Sequence, residues 1–296
     1  MRYFIVTCHG WSASNWTAHA LNLNENIICT HSARNELAED KELQSNKNLK
    51  KHINDLQKGY LSRQSRSLDE IYEEIESKGI AKCYGSVHVL RMRDLPIIFK
   101  NHGISQRNFN LVNIVRHPID LVWSGYGQFK DLFKYDINEL YWTTGKVVRQ
   151  ALEFSNYIGI KYDLNMGELD NLAFIGACAI LESLRFDIDS YSQIENIDNL
   201  NYLGTFKMEE ITSNEEKYSL FFKRLGLIEY QDNHYIEKVF KTGIVNKHKH
   251  DSKKLTPQER YNQFLPWQKE VFNHFFSLHS LKEFYQKIGY NIEFID

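Results

Sequence analysis

Asn110-Leu111-Val112-Asn113-Ile114-Val115-Arg116 is a nearly continuous apolar run that turns at once into His117-Pro118-Ile119-Asp120. A short run of this kind reads as a strand buried on both faces, the pattern of a parallel sheet. Pro118 suits the first position of a helix, and Asp120 sets a negative charge in its first turn, against the positive end of the dipole. Outward from this βα step the same alternation recurs. Residues 2–8 form another apolar run, followed by the small-residue loop His9-Gly10-Trp11-Ser12-Ala13-Ser14, a helix over 15–21 and a strand over 26–30. A further strand is predicted over 81–90, helices over 139–160 and 167–185, a last strand over 202–209 and an amphipathic helix over 215–225. Thr256-Pro257-Gln258-Glu259 opens the C-terminal helices, which run to about residue 289. Strands alternating with helices predict an α/β fold of three layers, a central, mostly parallel sheet flanked by helices.

The chain has 296 residues and 35.0 kDa, a size at which one α/β domain is common. Hydrophobic residues at 42% and charged residues at 25% describe an ordinary globular protein and exclude a disordered or collagen-like chain. Without internal repeats or a Pro/Gly linker, a single domain over 1–296 is expected. Within it, residues 33–66 are polar and read as an insertion or lid, followed by a helix over 67–77 that Ser67 and Glu70 open as a capping box. Lys+Arg of 36 against Asp+Glu of 38 leave a net charge of −2, so nucleic acid is not an expected partner. No stretch approaches a membrane span, and Cys8, Cys29, Cys83 and Cys178 have no paired spacing. The expectation is a cytoplasmic protein with reduced, buried thiols.

A strand, a small-residue loop and a helix N-terminus converge free N–H groups on an anion. Residues 2–21 have that layout, with Ser12, Ser14 and Asn15 as further donors. Gly10 is the loop's one glycine and no lysine opens the helix, so the Walker pattern is absent and a nucleoside-triphosphate kinase is disfavoured. A second anion-binding pair stands at the end of the 110–116 strand. Arg116 offers a guanidinium fork there, and Ser124, eight residues on, lies two turns into the following helix.

Ile114-Val115-Arg116-His117-Pro118-Ile119-Asp120 through Ser124-Gly125-Tyr126 resembles the second signature of the sulfotransferases that use 3′-phosphoadenosine 5′-phosphosulfate (PAPS). Ser12-Ala13-Ser14-Asn15-Trp16 is similar to the first signature loop of that family, with Trp16 in register. Phe206-Lys207-Met208-Glu209-Glu210-Ile211 and the C-terminal stretch from Leu255 to Tyr290 resemble later parts of the family in the right order. The resemblance implies a P-loop NTPase-like fold and transfer of a sulfuryl group from PAPS to a hydroxyl or amine of a small-molecule acceptor. It implies that the loop Gly10, Trp11, Ser12, Ala13, Ser14, Asn15 and Trp16 holds the 5′-phosphosulfate. Arg116 and Ser124 would hold the 3′-phosphate, and Met208 would lie against the adenine.

His88 matches the family's catalytic base, with His9 and His19 as runners-up; a near-neutral imidazole suits removing a hydroxyl proton. Lys247 and Lys249, in a loop with four lysines over 246–254, match a basic loop that closes on the 3′-phosphate. No metal is expected, at the His248/His250 pair or elsewhere. Two departures stand out: the family's lysine or arginine ahead of the loop serine is Trp11, and its usual glycine is Ala13. Another cation must then supply the charge, with Arg91, Arg93 and Lys247 as candidates. Aromatic residues over 123–142 are candidates for an acceptor pocket. The alternatives are a P-loop nucleotide kinase and a non-catalytic nucleotide-binding homologue.

Overall fold

Short apolar runs with alternate residues on opposite faces build one parallel sheet. The computed structural model describes residues 1–9, 11–31, 81–88, 90–96, 107–135, 166–241, 255–277 and 280–296, with 73, 76, 77, 79 and 99. Its strands are β1 (Arg2–Cys8), β2 (Ile27–His31), β3 (Cys83–Val87), β4 (Phe109–Val115) and β5 (Leu200–Lys207). They lie in the order β2-β3-β1-β4-β5, and every neighbouring pair is parallel. The described helices are α1 (Ser14–Asn22), α2 (Pro118–Tyr135), α3 (Met166–Cys178), α4 (Ile180–Asp189), α5 (Tyr191–Ile194), α6 (Met208–Ser213), α7 (Glu215–Arg224), α8 (Asn233–Lys241), α9 (Pro257–Asn262), α10 (Pro266–Phe276) and α11 (Leu281–Lys287).

The described residues fall into two compact units, Met1–Val115 with Asp189–Asn246, and Arg116–Ile188 with Lys247–Asp296. Each is drawn from two stretches of chain, so no linker in the sequence marks the division.

The first unit holds the sheet, with a core on each side. Phe4, Val6 and Cys8 of β1 face one way with Ile27, Cys29, Val87, Val112 and Ile114, under Trp16 and Leu21 of α1, Tyr218 and Phe222 of α7 and Val239 of α8. Tyr3 and Ile5 face the other way with Ile28, Tyr84, Phe109 and Leu111, under Met92, Leu95, Phe99 and Ile194. This is the expected three-layer α/β arrangement, and the sheet is parallel throughout. The chain leaves β1 toward β2 in one direction, and leaves β3 and β4 in the other. Right-handed crossovers therefore place α1 on one face and Met92, Leu95 and Phe99 on the other, and the direction of winding reverses at β1, whose carboxyl end is where such α/β sheets bind ligands.

Several elements differ from the sequence reading: the strand expected over 26–30 is Ile27–His31, and that over 81–90 is only Cys83–Val87. The strand expected over 202–209 ends at Lys207, because Met208-Glu209-Glu210 starts α6 with two acids in its first turn. Within β5, Leu111 pairs with Tyr202 but Asn113 with Thr205, and the extra residue is taken up where Gly204 adopts φ 112°. The helix expected over 167–185 is two helices, α3 and α4, interrupted at Ala179. The polar 33–66 segment, the 139–160 helix and most of the 67–77 helix lie outside the described residues.

The second unit packs its helices around aromatic rings. Phe174 of α3 meets Tyr126 of α2 edge-on at 5.5 Å, Phe264 at 5.1 Å and Trp267 of α10 at 5.6 Å. The start of α2 is held from two directions. His117 donates from Nε2 to the Asn291 carbonyl at 3.1 Å and accepts the Ile119 N–H at Nδ1, which fixes a neutral tautomer. Its ring stacks on Phe294 at 6.0 Å and meets Tyr290 edge-on. The largely buried pair Arg260–Asp120, 3.6 Å apart, ties α9 to the first turn of α2. Thr256 and Glu259 form the capping box that starts α9, as the Thr-Pro-Gln-Glu sequence predicts.

Candidate functional site

The first candidate site lies at the carboxyl end of β1. Trp11 and Ala13 adopt left-handed backbone, φ 65° and 54°, and so does His88 after β3, φ 62°. Among the described residues only Ser280 is a further non-glycine case. Each such residue costs about 1–2 kcal/mol, and strain of this kind concentrates at ligand-binding positions. Between the two strained loop residues Ser12 is buried, and its Oγ has no hydrogen-bond partner among the described residues. An unmet buried hydroxyl costs about 1–3 kcal/mol. Ala13, at the N-cap of α1, has no side chain that can cap, and the first turn carries no acid. The N–H groups at the start of α1 and the Ser12 hydroxyl therefore face the same requirement, an acceptor supplied from outside the loop.

A row of side chains crosses the carboxyl ends of β2, β3 and β1 beside this loop. His31, the last residue of β2, bonds Ser14 Oγ through Nε2 at 2.9 Å. Its ring stacks on His88, centroids 5.6 Å apart and planes 19° from parallel. His88 Nδ1 lies 2.8 Å from the Cys8 carbonyl. Because a carbonyl only accepts, Nδ1 carries the proton and Nε2 the lone pair. Arg91 Nη1 donates to the same carbonyl, and its Nη2 lies 3.4 Å from His88 Nε2. Burial, and next the adjacent Arg91 charge, push His88 down to about 3, so the ring is neutral at physiological pH.

The second candidate site belongs to the other unit. Arg116 Nη1 donates to Ser124 Oγ at 2.7 Å, so the two residues singled out by their eight-residue spacing are in direct contact. The guanidinium is thereby aimed along α2, whose first turn the His117 and Asp120 contacts hold in place.

The other predicted residues distribute unevenly. Asn15 lies in the first turn of α1 and is half-buried, whereas the Trp16 ring belongs to the core, edge-on to Tyr218 at 5.7 Å and to Phe240 at 6.4 Å. Met208 begins α6, half-buried against the same core. His9 is buried at the end of β1, close enough to lower His88 further. His19 lies in the last turn of α1, at the end opposite the loop. Arg93 is in the 3₁₀ turn Met92–Asp94. Gly10, Lys247 and Lys249 lie outside the described residues. His31 is the site residue that the sequence reading missed; its place at a strand's carboxyl end is the signal that could have found it. All four cysteines are buried free thiols.

No protein-family model matches this chain, and neither does any curated protein. Among the described residues no helix is long and apolar enough to cross a membrane.

Proposed function

We propose that the chain is a PAPS-dependent sulfotransferase that acts on a hydroxyl or amine of a small-molecule acceptor. The observation that carries this reading is the 2.7 Å bond from Arg116 Nη1 to Ser124 Oγ. It unites the two residues that the family resemblance assigns to one phosphate, the 3′-phosphate that distinguishes this donor from ATP. The strained loop supports it independently, since Ser12 Oγ and the head of α1 both call for an anionic acceptor. In this reading Ser12 and the N–H groups of α1 receive the 5′ end of the donor. The acceptor oxygen forms its bond to sulfur as the bond from sulfur to the bridging oxygen breaks. The electron pair stays on the 5′-phosphate, and His88 Nε2, which holds the lone pair, takes the acceptor proton.

Calorimetry with adenosine 3′,5′-bisphosphate, adenosine 5′-phosphate and ATP with Mg²⁺ tests the reading. The bisphosphate is expected to bind most tightly, and Arg116→Ala to weaken it at least about tenfold through loss of a charge-assisted contact. No binding of the bisphosphate, a preference for ATP, or an unchanged affinity in Arg116→Ala overturns it.

A further inference from the structure

The loop that heads α1 asks for an anion yet supplies no charge to hold one. His9 to Trp16 contains neither lysine nor arginine, and one of its two left-handed residues is Trp11. Charge must reach the loop from another strand. Arg91, in the turn after β3, is placed to do this: its Nη1 rests on the carbonyl of Cys8, the residue from which the loop departs. Its Nη2 faces His88 Nε2 at 3.4 Å, and His88 in turn stacks on the His31 that bonds Ser14 at the head of α1. One guanidinium thus touches the base of the loop and the imidazole nitrogen that holds a lone pair.

We propose that Arg91 is the cation of the transfer site, and that its contact with His88 Nε2 couples the arrival of the anion to the release of that nitrogen for the acceptor proton. This rests on the sulfotransferase reading. Before the anion binds, Arg91 Nη2 lies against the lone pair, and a proton arriving there would meet the guanidinium, with His31 of β2 and His9 of β1 as further repulsive neighbours. When the guanidinium turns its donors to the anion, the lone pair is exposed and the added negative charge favours its protonation. Arg91 then stabilises the charge that grows on the bridging oxygen as the bond to sulfur breaks.

The test uses the full chain with Arg91→Lys and Arg91→Gln. Calorimetry follows adenosine 3′,5′-bisphosphate binding, release of labelled sulfate from PAPS to water follows turnover without a known acceptor, and nuclear magnetic resonance follows the His88 imidazole against pH. Arg91→Gln is expected to slow sulfate release at least about tenfold more than it weakens bisphosphate binding, because the missing charge matters most as the bond breaks. It is also expected to raise the pH at which His88 titrates, and Arg91→Lys to recover part of both. The titration is read on the protein alone and reports the Arg91–His88 contact directly. If the wild type binds the bisphosphate but Arg91→Gln releases sulfate at the wild-type rate, or His88 titrates unchanged, this inference fails and the sulfotransferase reading stands. If the wild type does not bind the bisphosphate, that reading fails and this one with it.

Discussion

Replacing His88 with asparagine tests the row of side chains at the strand ends through its response to acid. Asparagine tolerates the left-handed backbone of this position better than most residues and keeps a side-chain donor for the Cys8 carbonyl. At neutral pH the exchange is expected to cost about 1 kcal/mol, the worth of one hydrogen bond and some packing. Acid changes the comparison. An unfolded chain binds the His88 proton near 6.5, but the folded chain only near 3, where burial and Arg91 have pushed it. Between those values the unfolded state holds more protons, so stability falls as the pH falls, and above 6.5 this contribution is fully present. At about pH 5 the loss from this one residue is about 2 kcal/mol, at about 1.4 kcal/mol per pH unit. Asparagine does not titrate and escapes the loss. Urea unfolding followed by tryptophan fluorescence, at about pH 7.5 and about pH 5, gives the two differences between wild type and variant. The gap is expected to shift by about 2 kcal/mol toward the variant. A gap that is the same at both pH values would refute a neutral His88 enclosed beside Arg91.

Substitutions at Gly85, Phe4 and Ala13 probe the frame that carries the site. Gly85 of β3 pairs with Phe4 of β1, and an added Cβ would press into the buried Phe4 ring. Gly85→Ala is therefore expected to cost about 1–3 kcal/mol by denaturant unfolding, and Phe4→Leu to relieve part of that cost, so additive losses would show that the ring does not cover this glycine. At Ala13 the left-handed φ of 54° orders the outcomes: glycine neutral or stabilising by up to about 1 kcal/mol, valine destabilising by about 2 kcal/mol. A valine variant as stable as the wild type in thermal unfolding would contradict the loop conformation.

The strands β1 and β4 were legible because each is a short apolar run, and burial on both faces leaves no polar alternation to confuse the reading. Strand ends were less so. His31 is polar and closes β2 one residue beyond the expected boundary, so its role at the strand end was invisible to a hydrophobicity argument. Arg116 and Ser124 were readable as a pair because both sit on one continuous βα step, where spacing determines proximity. Arg91 could be named only as one of three cations. Which of them meets the loop depends on how β3 registers against β1, with Val6 opposite Val87, and no local pattern encodes that register. Trp16 shows the opposite error of emphasis: it keeps register with the family loop, yet its ring is spent on the core between Tyr218 and Phe240.

The clasp on His117 has a consequence for how the protein is made. Residues 290–294 stack on and accept from a ring that stands just ahead of α2, so the contacts that hold the first turn of that helix are separated by more than half the chain. During synthesis Arg116 and Ser124 leave the ribosome long before Asn291 and Phe294. The sheet needs nothing later than β5 to pair its strands. The Arg116 half must wait for the last residues before its helix start is fastened, which makes it the later-maturing part of the molecule.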